Sequence, residues 1–261
     1  MTASLAGTAA VVTGAGRGLG RAMAVALASE GARVSLCARS DEELAVTVSL
    51  IEEHGGSASA TCVDLADPAA CGDYVEHLNG EVRRLDVLVN NAAVLRRTSV
   101  EEQSVGDWSQ TLAVNLTAPF ILTRGLLSSL RRDGGSIINV SSRAGVMAFK
   151  SEAAYCASKF GLEALTKCLA LELVGSRVSV NTITPGLRIK PTSLTDAQEA
   201  TLPAAARERW SEPAPIMPAV LLLARLRGEV SGLRFDALRL SKALLAEKSE
   251  AVMARLGELA E

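Results

Sequence analysis

The chain of 261 residues is 48% hydrophobic and 21% charged, with a formal net charge of -2, enough apolar material for one substantial core. A balance so near neutral, without a run of five basic residues, argues against a nucleic-acid or anionic-membrane partner and favours a small molecule. The first residues, Met1 to Leu5, carry no positive charge, and the apolar run after them is broken by glycines, so neither a signal peptide nor a membrane span is expected.

In chain order, a short apolar run at 9–13 is predicted as the first strand and 19–29 as the first helix. Between them lies Thr13-Gly14-Ala15-Gly16-Arg17-Gly18-Leu19-Gly20. Glycines at such a junction allow a tight turn, close backbone approach to a pyrophosphate and tight helix packing, while the helix N-terminus supplies N–H groups and positive dipole. Further strands are predicted at 33–37, 59–63, 86–89, 135–140 and 178–183, and further helices at 42–53, 69–82, 108–130 and 153–174. Ser40-Asp41-Glu42-Glu43 reads as a capping box with a structural role alone. Strands without apolar/polar alternation, separated by helices, imply a parallel sheet covered on both faces and built by right-handed crossovers. One domain is expected.

The stretch from Ser142 to Lys159 carries chemistry. Tyr155 and Lys159 are four residues apart, so on a helix they share one face. An ammonium near a phenol favours phenolate, which makes Tyr155 a candidate acid/base near neutral pH. Ser142, at the end of the strand 135–140, is placed to hydrogen-bond a substrate oxygen. The five cysteines, Cys37, Cys62, Cys71, Cys156 and Cys168, are scattered, without Cys-x-x-Cys or a nearby histidine pair. They read as reduced thiols of a cytoplasmic protein, with no metal site.

These motifs together resemble the classical short-chain dehydrogenase/reductase family: the glycine loop, Asp64, Asn90-Asn91-Ala92-Ala93, Asn115, the Ser142/Tyr155/Lys159 set and Pro185-Gly186 stand in family order over roughly residues 5–190. The resemblance implies an α/β fold, a Rossmann-type doubly wound parallel sheet in three layers. It also implies a cofactor held by Gly14, Gly16, Arg17, Gly18, Leu19, Gly20, Arg39, Asp64, Asn90, Ala92, Tyr155, Lys159, Pro185 and Gly186. In the family's terms Asp64 bonds adenine, the Asn90 segment walls the adenosine side, Lys159 holds the nicotinamide ribose, and Asn115 anchors a water that links Lys159 to solvent. The implied reaction is hydride transfer between the cofactor and a carbonyl or secondary alcohol; a dinucleotide sensor or scaffold without turnover is the alternative. Dehydratase or epimerase chemistry is a further option on this scaffold.

Ala38 stands where an acid would accept from a free ribose 2′-hydroxyl. Arg39 beside it and Arg17 in the loop are placed to embrace a 2′-phosphate, which favours NADP(H). Several positions depart from the family pattern. Ala93 replaces a glycine, and Thr192 follows Pro185-Gly186 two residues later than the usual threonine. A seventh strand at 230–236 lacks the glycine pair expected after its acid. Residues 187–210 are expected to form a substrate loop, with Met147, Ala148, Phe149, Leu187 and Trp210 suggesting a partly apolar pocket. Residues 242–259 are expected to form one additional C-terminal helix. Helices 108–130 and 153–174 are apolar over more of their circumference than one sheet face covers. A homodimer or homotetramer across them is expected, the alternative being a monomer whose C-terminal helix covers the same face.

Overall fold

The computed structural model describes residues 4–82, 84–190, 200–203 and 210–261. Seven parallel strands form one sheet in the order β3-β2-β1-β4-β5-β6-β7. They are β1 (Ala9–Thr13), β2 (Arg33–Ala38), β3 (Ser57–Cys62), β4 (Val87–Asn90), β5 (Gly135–Val140), β6 (Val178–Thr184) and β7 (Arg234–Asp236). The helices are α1 (Gly18–Ser29), α2 (Asp41–Glu53), α3 (Pro68–Glu81), α4 (Val105–Leu112), α5 (Ala118–Arg131), α6 (Ala153–Glu172), α7 (Met217–Arg225), α8 (Ala237–Ala246) and α9 (Ser249–Ala254). Every strand pair is parallel. The strand order reverses between β1 and β4, and a cleft opens beyond the carboxyl ends of the strands at that switch point. This is the doubly wound Rossmann architecture.

β4, β5 and β6 are buried along their whole length, because helices cover both faces. On one face Met23, Leu27, Leu223, Leu240, Val252, Leu256 and Leu259 pack together. On the other, α3 and α5 bury Tyr74, Leu78, Leu122, Leu126 and Leu130. Each large aliphatic side chain so buried contributes roughly 1.5–3 kcal/mol. No helix of the described residues is long and apolar enough to cross a membrane.

Three expectations are corrected. The helix expected at 108–130 begins at Val105 and is interrupted by a π turn, Ala113–Thr117, in which Ala118 N–H reaches Ala113 O. Pro119 has no N–H to return to Asn115 O, and the Asn115 side chain is turned inward to bond Val94 and Ser158. The seventh strand is three residues long, because Gly232 takes φ +81 and its N–H bonds Val180 O. The single helix expected at 242–259 is α8, started early by Asp236 accepting from Arg239 N–H, then α9 and a 3₁₀ turn, Leu256–Leu259. Extended Glu247 and Lys248 separate α8 from α9, and the bend lets Val252, Leu256 and Leu259 reach the α1 side of the sheet. The C-terminal segment therefore does not cover α5, which lies on the opposite face.

Candidate active site

The cleft encloses about 1190 Å³ and runs from the glycine loop across β4 and β5 to the segment after β6. Its nucleotide half is pinned backbone. Gly14 has φ +64, and a Cβ there would meet Ala92 Cα at 2.9 Å; one on Gly20 would meet Gly14 O at 2.2 Å. Thr13 Oγ1 accepts from the N–H groups of Asn91 and Ala92, both at 3.0 Å. Asn91 Nδ2 donates to Thr13 O at 2.9 Å, and Thr47 Oγ1 in α2 donates to Ala15 O at 2.9 Å. The loop thus presents bare backbone and a helix N-terminus to the cleft, a cradle suited to a pyrophosphate.

Gly14, Gly16, Arg17, Leu19, Gly20, Arg39, Asp64, Ala92, Tyr155, Lys159, Pro185 and Gly186 all line the cleft. Gly18 turns the loop at φ +56 into α1 instead of lining it. Asn90 is corrected: it is 3% exposed, and its amide donates to Asn139 Oδ1 at 2.8 Å. Strand alternation sends Asn90 into the core and Asn91 to the cleft wall. Asn115 also stands behind the wall, tying Val94 to Ser158 on α6. Thr192 lies outside the described residues.

The capping box does more than start a helix. Ser40 Oγ accepts from Glu43 N–H as expected, but the Glu43 carboxylate pairs with Arg17 at 2.9 Å, and Ser40 and Glu43 both line the cleft. Sequence spacing shows the cap and not this second partner, because Arg17 comes from another element.

In the other half, Ser142 follows β5 and its hydroxyl accepts from Ala144 N–H. Tyr155 stands in the first turn of α6. Burial pushes its phenol above the usual range and the Ser142 hydroxyl beside it pulls the other way. Lys159 is 2% exposed, and its Nζ donates to Val140 O at 2.7 Å and lies 5.7 Å from the Tyr155 ring centroid. Burial brings the lysine down from 10.5 to about 8, opposed by Glu163. The expectation that Lys159 draws the phenol down is thereby corrected: desolvation by burial is the largest influence on both groups. Of the residues expected around the substrate, Phe149, Leu187 and Trp210 line the cleft, whereas Met147 and Ala148 do not. Arg97 and Glu152, which the sequence does not single out, form an ion pair of 2.8 Å in the cleft wall.

A switch-point cleft with a glycine cradle and a serine, tyrosine and lysine beyond it defines a dinucleotide-dependent oxidoreductase. The family model for short chain dehydrogenase matches residues 8–202, and the chain belongs to that family. It is 38% identical over 182 residues to the D-threitol dehydrogenase of Mycolicibacterium smegmatis, covering 69% of this chain and 70% of that protein. With the rhamnolipids biosynthesis 3-oxoacyl-[acyl-carrier-protein] reductase of Pseudomonas aeruginosa it shares 35% identity over 240 residues, 86% of this chain and 92% of the relative. The crystal structure of a metagenomic short-chain oxidoreductase in complex with NADP superimposes with a TM-score of 0.75 at 35% identity, covering 87% and 95% of the two chains. Membership carries a nicotinamide dinucleotide cofactor, NAD(P)(H), and the glycine cradle fits it.

Proposed function

We propose that this chain interconverts a carbonyl and a secondary alcohol with NADP(H), Tyr155 being the general acid/base. The carrying observation is the Tyr155 phenol beside the Ser142 hydroxyl in the cleft, with buried Lys159 one helical turn further along α6. When bound, the nicotinamide supplies or takes the hydride. Of the chain's own groups, Tyr155 gives a proton to the carbonyl oxygen in reduction and takes it back in oxidation, and Ser142 donates a hydrogen bond to that oxygen as charge develops. Lys159 would hold the ribose of the bound cofactor. Asn115 fixes the wall residue Val94 against α6, and Asp64, in the cleft wall, would bond adenine.

NADP(H) is favoured over NAD(H) by Ala38, which offers no acceptor to a 2′-hydroxyl, and by Arg39 and Arg17 in the same wall. Arg17 must be shared with Glu43, so Arg39 is the leading phosphate ligand. Titrating nicotinamide fluorescence with NADPH and NADH tests this, Arg39→Asp reversing the preference; equal affinities in the parent would reject it. Screening carbonyls and alcohols by NADPH absorbance tests the reaction class.

Assembly as a dimer or tetramer is supported by Trp108, Phe120 and Phe160 on α4, α5 and α6, which are 38%, 46% and 47% exposed. Five free cysteines agree with a reducing, cytoplasmic setting.

A further inference from the structure

Behind the catalytic helix, four elements converge on one buried carboxylate. Glu163 lies one turn beyond Lys159 and two beyond Tyr155, so all three project from the same face of α6. Its Oε1 accepts from the Ser141 hydroxyl and from the Arg234 guanidinium of β7, and its Oε2 accepts from Thr182 Oγ1 of β6 at 2.8 Å. Glu163 is 7% exposed and Arg234 6%. Arg234 Nε continues to Glu261 Oε2 at 2.8 Å. The carboxylate also constrains the turn after β5: a Cβ on Gly145 would stand 2.8 Å from Ser141 Oγ and 3.0 Å from Glu163 Cγ.

An ion pair is a poor device for mere cohesion here, since apolar side chains of equal volume commonly hold a core as well or better. Its placement says more. Ser141 stands between Val140, whose carbonyl receives Lys159 Nζ, and Ser142, whose hydroxyl meets the phenol. We infer that Glu163 and Arg234 are positioning residues: together they fix both anchor points of the Tyr155–Lys159 pair and keep the charge behind that pair balanced. The inference rests on the proposed function only in taking Tyr155 as the reacting phenol.

The pair's charged and titratable surroundings are Glu152, Cys156 and Glu163 on or beside α6, Arg143 after β5, and Arg97 after β4. Arg234 and Asp236 come from β7, and Glu261 from the chain beyond it. β6 contributes the neutral Thr182 and Thr184, the segment after it Arg188 and Lys190 in the cleft wall, and the π turn Asn115. Removing the Glu163 carboxylate leaves Arg234 opposed by Glu261 alone, and the less balanced cation makes both phenol and ammonium lose protons more readily. Removing the guanidinium alone leaves Glu163 unopposed and does the reverse. Removing both restores balance.

The chain has two tyrosines, Tyr74 and Tyr155, and Tyr74 is buried and held well above the usual range. Near-ultraviolet absorbance of phenolate therefore titrates Tyr155 without a known substrate, with Tyr155→Phe identifying the signal. Glu163→Gln is expected to lower the midpoint by about one pH unit or more, and Arg234→Met to raise it by a similar amount. The double variant E163Q/R234M should return close to the parent. Equal shifts of one sign, or none, overturn the inference, because a pair too remote to act on the phenol leaves its titration in place. If a single variant fails to fold, Glu261→Gln takes its place: it removes a peripheral negative charge and should lower the midpoint by several tenths, an unchanged midpoint counting against the inference. A shifted titration without turnover of any carbonyl rejects the proposed reaction and leaves the positioning role standing. Turnover with unshifted titrations does the opposite.

Discussion

The nucleotide half of the cleft is made of backbone, held from behind by Thr13, Asn91 and Thr47, whereas the reacting half is made of side chains, three of them on one helix face. The first half binds by leaving room, so its sensitivity is steric. In the second, the chemistry depends on protonation, so its sensitivity is electrostatic. Damage to one half should consequently leave the other measurable, and the expected effects separate by kind as well as size.

The largest effect is expected from Tyr155→Phe, which removes one hydroxyl from the reacting half. Turnover should fall by about 10²- to 10⁴-fold while nicotinamide fluorescence reports unchanged cofactor affinity. Retention of more than about a tenth of kcat would take Tyr155 out of the acid/base role.

Lys159→Met shows the same half from the side of stability. Because its pKa of about 8 lies below the usual 10.5, the native state binds fewer protons than the unfolded chain between those values. Parent stability therefore rises from about pH 8 to about 10.5, and the cost of the buried ammonium is complete below 8. Replacing it should raise stability at neutral pH by roughly 2–3 kcal/mol, with little gain near pH 10.5, while ending turnover. Urea unfolding at both pH values checks this, and a less stable variant at neutral pH would contradict it.

Gly20→Ala breaks the other half. The added methyl meets Gly14 O at 2.2 Å, and overpacking of this kind costs roughly 1–3 kcal/mol. About ten-fold weaker NADPH binding is expected, read by fluorescence titration, with the Tyr155 phenolate titration unmoved. The smallest effect belongs to Glu43→Gln. Freeing Arg17 from its carboxylate partner should tighten NADPH several-fold and leave NADH little changed, whereas tighter binding of NADH alone would argue that Glu43 does not oppose a 2′-phosphate.

Much of the fold can be read from the sequence because runs such as 9–13 and 135–140 are apolar, short and bounded by glycine or polar residues, and the strands stand where those runs are. The reacting set is legible for a similar reason: Tyr155, Lys159 and Ser142 lie close in sequence on a helix and the strand before it. Contacts between distant elements are not. Glu163 and Arg234 are 71 residues apart, and nothing local in either segment announces the pair. Asn90 and Asn91 are identical in type, and only strand parity decides which one faces the cleft. The C-terminal third is the least legible, because its break at Glu247 and Lys248 is set by what Val252 and Leu256 pack against, not by proline or glycine.

The π turn at Ala113–Thr117 has a consequence for how this chain tolerates changes of length. A π turn amounts to one extra residue looped into an α-helix. Deleting a single codon there would regularise the helix and remove the bulge that turns Asn115 inward, whereas a deletion in plain α-helix turns everything beyond it by about 100° and draws it back by about 1.5 Å. The Asn115 bonds to Val94 and Ser158 would be lost, while Leu122, Leu126 and Leu130 would keep their side of the helix. The same deletion at Gly55 or Gly175, which lie outside every helix and strand and where a Cβ would meet nothing within 4 Å, shifts no helix face. Variation in length among descendants of this chain should therefore spare the five residues of the turn while accumulating freely in exposed segments.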